Sequence, residues 1–313
     1  MHLVTRFAPS PTGYLHLGHI ASLLYVFAYA RHHHAKVLLR IEDHDRERSR
    51  KEYEQAILDD IAWLGLIPDN WQQVNSVDRP HEYRQSNRNE RYWEVLNELQ
   101  RQGRIYYCSC SRREILEKQE KHHLELYYDG HCRQRGLENN GDVGTRVLFD
   151  DDEYAFTDQL LGALRQKPAE QCGDMLLRDR RQNWTYNYAV VIDDIDQGVN
   201  LIIRGEDILD CTGRQIALAQ MIDPAYQCNF LHHPLICDEE GKKLSKRLFS
   251  EAVAKRREQG ETPEHLIGDV LYYLGMIPDR ETLPLDNALA QIIECQNSGR
   301  QNHQDPGQCN PHH

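Results

Sequence analysis

Tyr14-Leu15-His16-Leu17-Gly18-His19 sets two imidazoles three residues apart, directly after the proline- and glycine-rich stretch Ala8-Pro9-Ser10-Pro11-Thr12-Gly13. From Gly18 to His33 nothing breaks a helix. Both rings therefore fall at a helix start, where free backbone N–H groups attract anions and Gly18 permits close approach. Phosphate is the guest this arrangement invites. A second string, Lys242-Lys243-Leu244-Ser245-Lys246-Arg247, concentrates enough positive charge to neutralise a polyphosphate. Either string alone has a bland explanation, a pair of loop histidines or a solvated basic face; together they point to a nucleotide site. Cys108, Cys110 and Cys132 are the one cluster among nine cysteines, and thiolates so grouped are good zinc ligands. Reduced packing thiols are the alternative, and Cys172, Cys211, Cys228 and Cys237 are read that way.

These groups need a scaffold that brings distant segments together. Leu3-Val4-Thr5-Arg6-Phe7 reads as a strand, and residues 36–42 (KVLLRIE) as a short buried parallel strand. A helix then carries Tyr53, Ala56, Ile57, Ile61 and Leu64 on one face, and another carries Tyr92, Val95, Leu96 and Leu99 before Gly103 closes it. Strand and helix in alternation predict an α/β fold with a parallel sheet. From Cys108 to about Lys167 the period is lost and loop signals such as Asp150-Asp151-Asp152 dominate, so this run reads as an insertion. Residues 184–193 (WTYNYAVVID) and 199–204 (VNLIIR) read as strands, 212–222 and 266–274 as helices, His32-His33-His34 as an exposed helix end, and the Gln-, Asn- and His-rich end as a disordered tail.

At 313 residues and 40% hydrophobic, the chain is long and apolar enough for a well-buried core. Nine cysteines scattered over this length do not make a disulfide scaffold, so reduced thiols are expected. No stretch reaches the roughly 18 apolar residues of a membrane span and no signal layout opens the chain, so a soluble, cytoplasmic protein without membrane contact is expected. The net charge of −12 argues against an indiscriminate grip on nucleic acid. The charge is uneven, however: residues 242–257 hold seven Lys and Arg against one Glu, whereas 137–160 hold seven acidic residues against one Arg.

Pro9 to His19 (PSPTGYLHLGH) and Lys243 to Arg247 (KLSKR) resemble the two signature sequences, HIGH and KMSKS, of class I aminoacyl-tRNA synthetases. The fuller string from Arg6, RFAPSPTG, is similar to the glutamyl-tRNA synthetase branch; glutaminyl enzymes usually show Glu and Asn where Ser10 and Thr12 stand. Sixty-six residues follow Arg247, and this length with the Tyr128-Asp129-Gly130-His131-Cys132 string resembles the truncated glutamyl-Q tRNA(Asp) synthetases. That family attaches glutamate to queuosine in an anticodon loop. The resemblance implies a Rossmann-like parallel sheet with a zinc-stapled insertion and a short C-terminal helical segment. It divides the chain into 1–105 and 171–250 as the two halves of a nucleotide-binding catalytic domain, 106–170 as the insertion, 251–290 as the helical segment and 291–313 as the tail.

The resemblance also implies roles. Arg6 and Arg204 would pair with carboxylates of glutamate, Ser10 would offer a hydroxyl, Glu42 would hold the ammonium, and Tyr186 aligns with a glutamate contact. His16, Gly18 and His19 would meet the phosphates of ATP and its magnesium, with Lys243 and Lys246 stabilising the pentacoordinate state; Leu244 and Arg247 depart from the KMSKS pattern. Cys108, Cys110, Tyr128 and Cys132 match the family's zinc pattern for one structural ion per chain, while His131, His122 and His123 are close enough in sequence to replace the tyrosine. The expected partners are glutamate, ATP and a queuosine-containing tRNA, and the protein is expected to be a monomer. Two rival readings stand beside this one: a minimal glutamyl-tRNA synthetase that charges a tRNA 3′ end, and a non-catalytic zinc and RNA-binding module on the same scaffold.

Overall fold

Val4–Phe7 (β1) and Lys36–Leu39 (β2) pair in parallel, Val4 opposite Lys36 and Phe7 opposite Leu39, joined by the long helix α1 (Leu17–His33). The computed structural model describes residues 2–120, 123, 125–236 and 252–298. Helix α1 buries Leu17, Ile20, Leu23, Leu24, Val26 and Tyr29 around most of its circumference, as a helix covered on several sides does. It ends at His34, whose φ of 54° places it in the left-handed conformation more often given to glycine. His32, His33 and His34 are exposed there, as the sequence suggests.

Helices α2 (Lys51–Trp63), α3 (Trp71–Val74) and α4 (Asn89–Arg101) follow, with Ile57 and Ile61 of α2 and Tyr92, Val95, Leu96 and Leu99 of α4 buried at helical spacing. Next come β3 (Ile105–Cys108), α5 (Arg112–Lys118), β4 (Gly144–Val147), β5 (Tyr154–Asp158), β6 (Gly162–Gln166), α6 (Pro168–Gln171) and β7 (Leu176–Arg178). Strands β3, β4 and β7 form a small antiparallel sheet in that order. The run from 108 to 167 is thus less irregular than its composition suggests. Strands of four or five residues, all three carrying polar side chains, are too short to show a period.

Helix α7 (Tyr186–Asp196), strand β8 (Leu201–Gly205), helix α8 (Thr212–Ile222) and strand β9 (Asn229–His233) complete the framework. Strands β8 and β9 run parallel and β5 joins the far side of β9, giving the order β6-β5-β9-β8. The β1–β2 pair lies beside β8: Val4 N–H donates to Asn200 Oδ1 at 2.8 Å and Asn200 N–H returns to the Val4 carbonyl at 3.0 Å. Residues 186–193 are helical, against the strand expectation. Tyr188, Ala189, Val190, Val191 and Ile192 are all buried, and a helix covered on most sides writes the same continuous apolar run as a buried strand.

Three helices close the described chain: α9 (Val253–Glu258), α10 (Pro263–Tyr273) and α11 (Leu285–Asn297). Helices α10 and α11 pack on α1, and α11 buries Ala288, Leu289, Ile292 and Cys295. It therefore extends to Asn297, into the run read as a disordered tail; the surrounding Gln and Asn mask its i, i+3, i+4 spacing. Residues 299–313 lie outside the described residues. No described helix is long and apolar enough to cross a membrane.

Candidate functional site

The C-terminal ends of β1, β2 and β8 each finish on or next to a buried charged side chain: Arg6, Arg40 with Glu42, and Arg204. Strand ends are where open parallel sheets place ligands. Arg6 Nε donates to Asp194 Oδ1 of α7 at 3.0 Å, and Arg40 Nη1 donates to the same oxygen at 2.7 Å. Arg40, with no exposed surface, also reaches Glu42 Oε1 through Nη2 at 3.1 Å. Burial pushes the Glu42 carboxyl up in pKa, against the pull of Arg40. Burial also acts on Asp194, but Arg40 and Arg6 outweigh it and hold that carboxyl below its ordinary value. Asp194 is thus the shared counter-charge of two guanidiniums. The neighbouring Asp193 takes Arg88 Nε at 2.6 Å and the hydroxyl of Tyr92 at 3.0 Å.

Arg204 is equally buried, but its hydrogen-bond partners are uncharged. Nε donates to His232 Nε2 at 2.9 Å, Nη1 to Gln215 Oε1 at 2.6 Å and Nη2 to Thr212 Oγ1 at 2.8 Å. Among the described residues no carboxylate pairs with it, and burying a cation without a direct counter-ion is costly. The phenol of Tyr186, half-buried at the start of α7, feels Arg204, Glu42 and Arg6, and burial raises its pKa. The sequence-predicted Arg6, Glu42, Tyr186 and Arg204 therefore surround one site although up to 198 positions separate them. Ser10 is exposed at the proline-rich turn, where its carbonyl accepts Thr12 N–H at 2.8 Å.

His16 and His19 open α1 by capping one another. Gly18 N–H donates to His16 Nδ1 at 3.2 Å and His16 N–H to His19 Nδ1 at 3.1 Å, with ring centroids 3.8 Å apart. This fixes both rings at the helix N-terminus. Burial, then His16, lowers the pKa of His19 to about 3, so its imidazole is neutral and meets a phosphate as a hydrogen-bonding group. Lys243 and Lys246 lie outside the described residues. The chain beyond them is tied to the histidine turn by Val253 N–H, which donates to the Leu15 carbonyl at 2.9 Å.

The thiols of Cys108, Cys110 and Cys132 lie within 4.8 Å of one another, from β3, the turn after it, and the turn following Tyr128. Cys110 Sγ and Cys132 Sγ are 3.7 Å apart, and Tyr128 Oη is 3.3 Å from Cys108 Sγ. A tetrahedral zinc with Zn–S bonds of about 2.3 Å needs sulfurs about 3.8 Å apart, so the donor set fits that ion. Burial raises the Cys132 thiol, but the Tyr128 hydroxyl, a backbone N–H and Arg135 more than offset it and bring it down to about 6. Tyr128 is pinned from behind by Gly173: with φ of 65°, any Cβ there would stand 1.9 Å from the Tyr128 carbonyl oxygen. His131 is exposed, and His122 lies outside the described residues. His123 stacks on Tyr127 with centroids 3.8 Å apart. Of the packing thiols expected from the sequence, Cys172 is buried, Cys211 and Cys228 are half-buried, and Cys237 lies outside the described residues.

Arg40, Asp194, Thr212, Gln215 and His232 hold the predicted site residues, yet sequence reasoning passed over them. A signal existed for one: Arg40 is a charge set between Leu39 and Ile41 in an otherwise apolar run, where an unpaired charge is costly.

Residues 2–301 match the family described as tRNA synthetases class I (E and Q), catalytic domain. A glutamate–tRNA ligase of Legionella pneumophila (strain Corby) is 40% identical over 274 residues, covering 85% of this chain and 55% of the relative. One from Nitrosospira multiformis is 38% identical over 313 residues, covering 98% of this chain and 64% of the relative. The chain spans about half the length of the first of these relatives. Among solved structures, a glutamate tRNA ligase from Elizabethkingia meningosepticum in complex with its amino acid superposes with a TM-score of 0.75 at 24% identity, covering 92% of this chain and 64% of that one, a likeness of fold. The chain belongs to the class I tRNA synthetase (E and Q) catalytic-domain family.

Proposed function

We propose that the protein activates glutamate with ATP and magnesium. An oxygen of the glutamate α-carboxylate attacks the ATP α-phosphorus in line, the bond to pyrophosphate breaks, and glutamyl-adenylate forms. The observation that carries this reading is Arg204, a buried guanidinium with uncharged partners, facing the same site as Arg6, Tyr186 and Glu42. A substrate with two carboxylates and one ammonium needs two cations and one anion at fixed separation. In this reading Arg6 and Arg204 take carboxylate oxygens, Glu42 takes the ammonium, and Tyr186 and Ser10 add hydroxyl contacts. His16 and His19 hold phosphate oxygens at the start of α1, and Lys243 and Lys246 neutralise the transferring group and pyrophosphate; such chemistry rests on positioning and charge neutralisation. Zinc held by Cys108, Cys110, Tyr128 and Cys132 supplies a structural staple and takes no part in the reaction.

For the acceptor, the string from Tyr128 to Cys132 favours queuosine in the anticodon loop of tRNA(Asp), recognised as a single-stranded base. The names of the relatives favour the second reading, transfer to a tRNA 3′ end. Pyrophosphate exchange with each amino acid, with and without tRNA, tests activation. Nuclease mapping of tRNA loaded with radiolabelled glutamate then separates the acceptors. Label in an anticodon-loop fragment, absent from tRNA lacking queuosine, supports the first; label on the 3′-terminal adenosine supports the second.

A further inference from the structure

We propose that Asp158 and His232 are positioning residues for Arg204, forming a buried Asp158–His232–Arg204 relay that aims the guanidinium at a substrate carboxylate without neutralising it. The inference rests on the glutamate-binding reading given above. All three residues are at most 5% exposed, and they come from three adjacent strands, β5, β9 and β8.

The direction of each hydrogen bond follows from the donors. Arg204 Nε is a permanent donor, so His232 Nε2, 2.9 Å away, must present its lone pair. The ring proton of a neutral imidazole then sits on Nδ1, which faces Asp158 Oδ2 at 2.7 Å. Burial keeps His232 neutral by lowering its pKa. Asp158 is fixed on its other side as well. Its Oδ1 accepts the N–H groups of Leu160 at 2.9 Å and Leu161 at 3.0 Å, and Oδ2 also accepts the N–H of His232 at 2.9 Å. With four donors pointing at it, the carboxyl has no room for a proton and is ionised.

The contrast with Arg6 gives the relay its use. Arg6 touches Asp194 directly, so its charge is already paired. Arg204 has its counter-charge one imidazole ring away and is gripped only by neutral groups on three of its five N–H donors. The other two have no partner among the described residues. A direct Asp–Arg pair would compete with an incoming carboxylate; the relay holds the guanidinium still and leaves that competition out.

The test is steady-state pyrophosphate exchange by the full chain, with glutamate and ATP varied separately. Loss of one charge-assisted hydrogen bond predicts that His232→Leu raises KM for glutamate by roughly 10–100-fold, with KM for ATP changed less than about twofold. His232→Gln, whose amide oxygen still accepts from Arg204, should recover most of the loss. A merely structural role would lower kcat and leave both KM values in place. The long-range 15N spectrum of the His232 ring in the wild-type protein needs no variant and should show the proton on Nδ1. Overturning results are an Nε2-protonated or doubly protonated ring, a glutamate KM for His232→Leu within about twofold of wild type, or no advantage for Gln over Leu. A wild type without glutamate-dependent exchange overturns the activity reading itself, a result distinct from each of these.

Discussion

The strand-end site and the cysteine cluster solve the same problem, holding polar groups in fixed geometry, by opposite means. At the strand ends, Arg6, Arg40, Glu42, Asp194 and Arg204 are anchored on strands and a helix whose apolar neighbours, such as Leu39, Leu201 and Ile203, lie in an extensive core. Rigidity there comes from burial, and each charge is balanced by a named partner or, at Arg204, held by uncharged groups. The cysteine cluster has a core of only Cys108, Ile115, Tyr128 and Cys132 among its buried residues. So little apolar burial leaves much of the segment's conformational entropy unopposed, and in the proposed reading a bound zinc ion supplies the missing folding energy. In that reading the first region can be a site because the fold is stable, and the second is stable because it holds an ion.

Four perturbations break or sharpen that contrast. The largest effect is expected from Arg40→Met, which strands the Glu42 carboxylate in the interior and leaves Asp194 with Arg6 alone. Removing one partner of a buried ion network costs about 3–5 kcal/mol, to be read from urea unfolding, and both the β1–β2 ends and the strand-end site should lose order. Lys246→Ala should leave stability unchanged yet cut pyrophosphate exchange about 10²–10³-fold, the loss expected for one charge-stabilising group. Cys110→Ser should reduce zinc from about one per chain toward zero, measured by elemental analysis, and speed hydrogen exchange around Cys108 to Arg135 while amides of α1 keep their protection.

The smallest effect concerns Asp60 of α2, buried and bonded to Arg257 of α9 at 3.2 Å. Burial pushes its carboxyl up to about 7, against the pull of Arg257. A carboxyl whose folded pKa lies above its unfolded value destabilises increasingly as pH rises from about 4 to about 7. Between pH 5 and pH 8, Asp60→Asn should therefore gain on the wild type by about 2–3 kcal/mol in urea unfolding. Equal pH slopes for the two proteins would show that this carboxyl is no liability.

Much of the scaffold was legible because it is periodic. Tyr92, Val95, Leu96 and Leu99 announce α4, and α1, α2, α8 and α10 fall close to their expected spans. Helix α7 was misread because burial on several sides erases the helical stripe. The short strands β4 to β6 were invisible because four or five residues carry no period. In the site, Arg6, Glu42, Tyr186 and Arg204 could be named through a resemblance, and the structure brings them together. Asp194, Asp158 and His232 could not, since a pairing such as Arg6 with Asp194 spans 188 positions and leaves no local trace. Long-range pairing is a property of the fold, so the side chains that hold the site are the ones a linear reading loses.

The central claim, that the uncharged cradle of Arg204 makes this a site for an acidic amino acid, is tested most directly by the initial rate of ATP–pyrophosphate exchange with glutamate against glutamine at equal concentration. The two substrates differ only in the side chain, a carboxylate in one and a neutral amide in the other, and the proposed reading gives carboxylate oxygens to Arg6 and Arg204. Exchange with glutamate is expected, with a rate for glutamine lower by at least about 10²-fold. Equal rates with the two, or no exchange with glutamate, would contradict it.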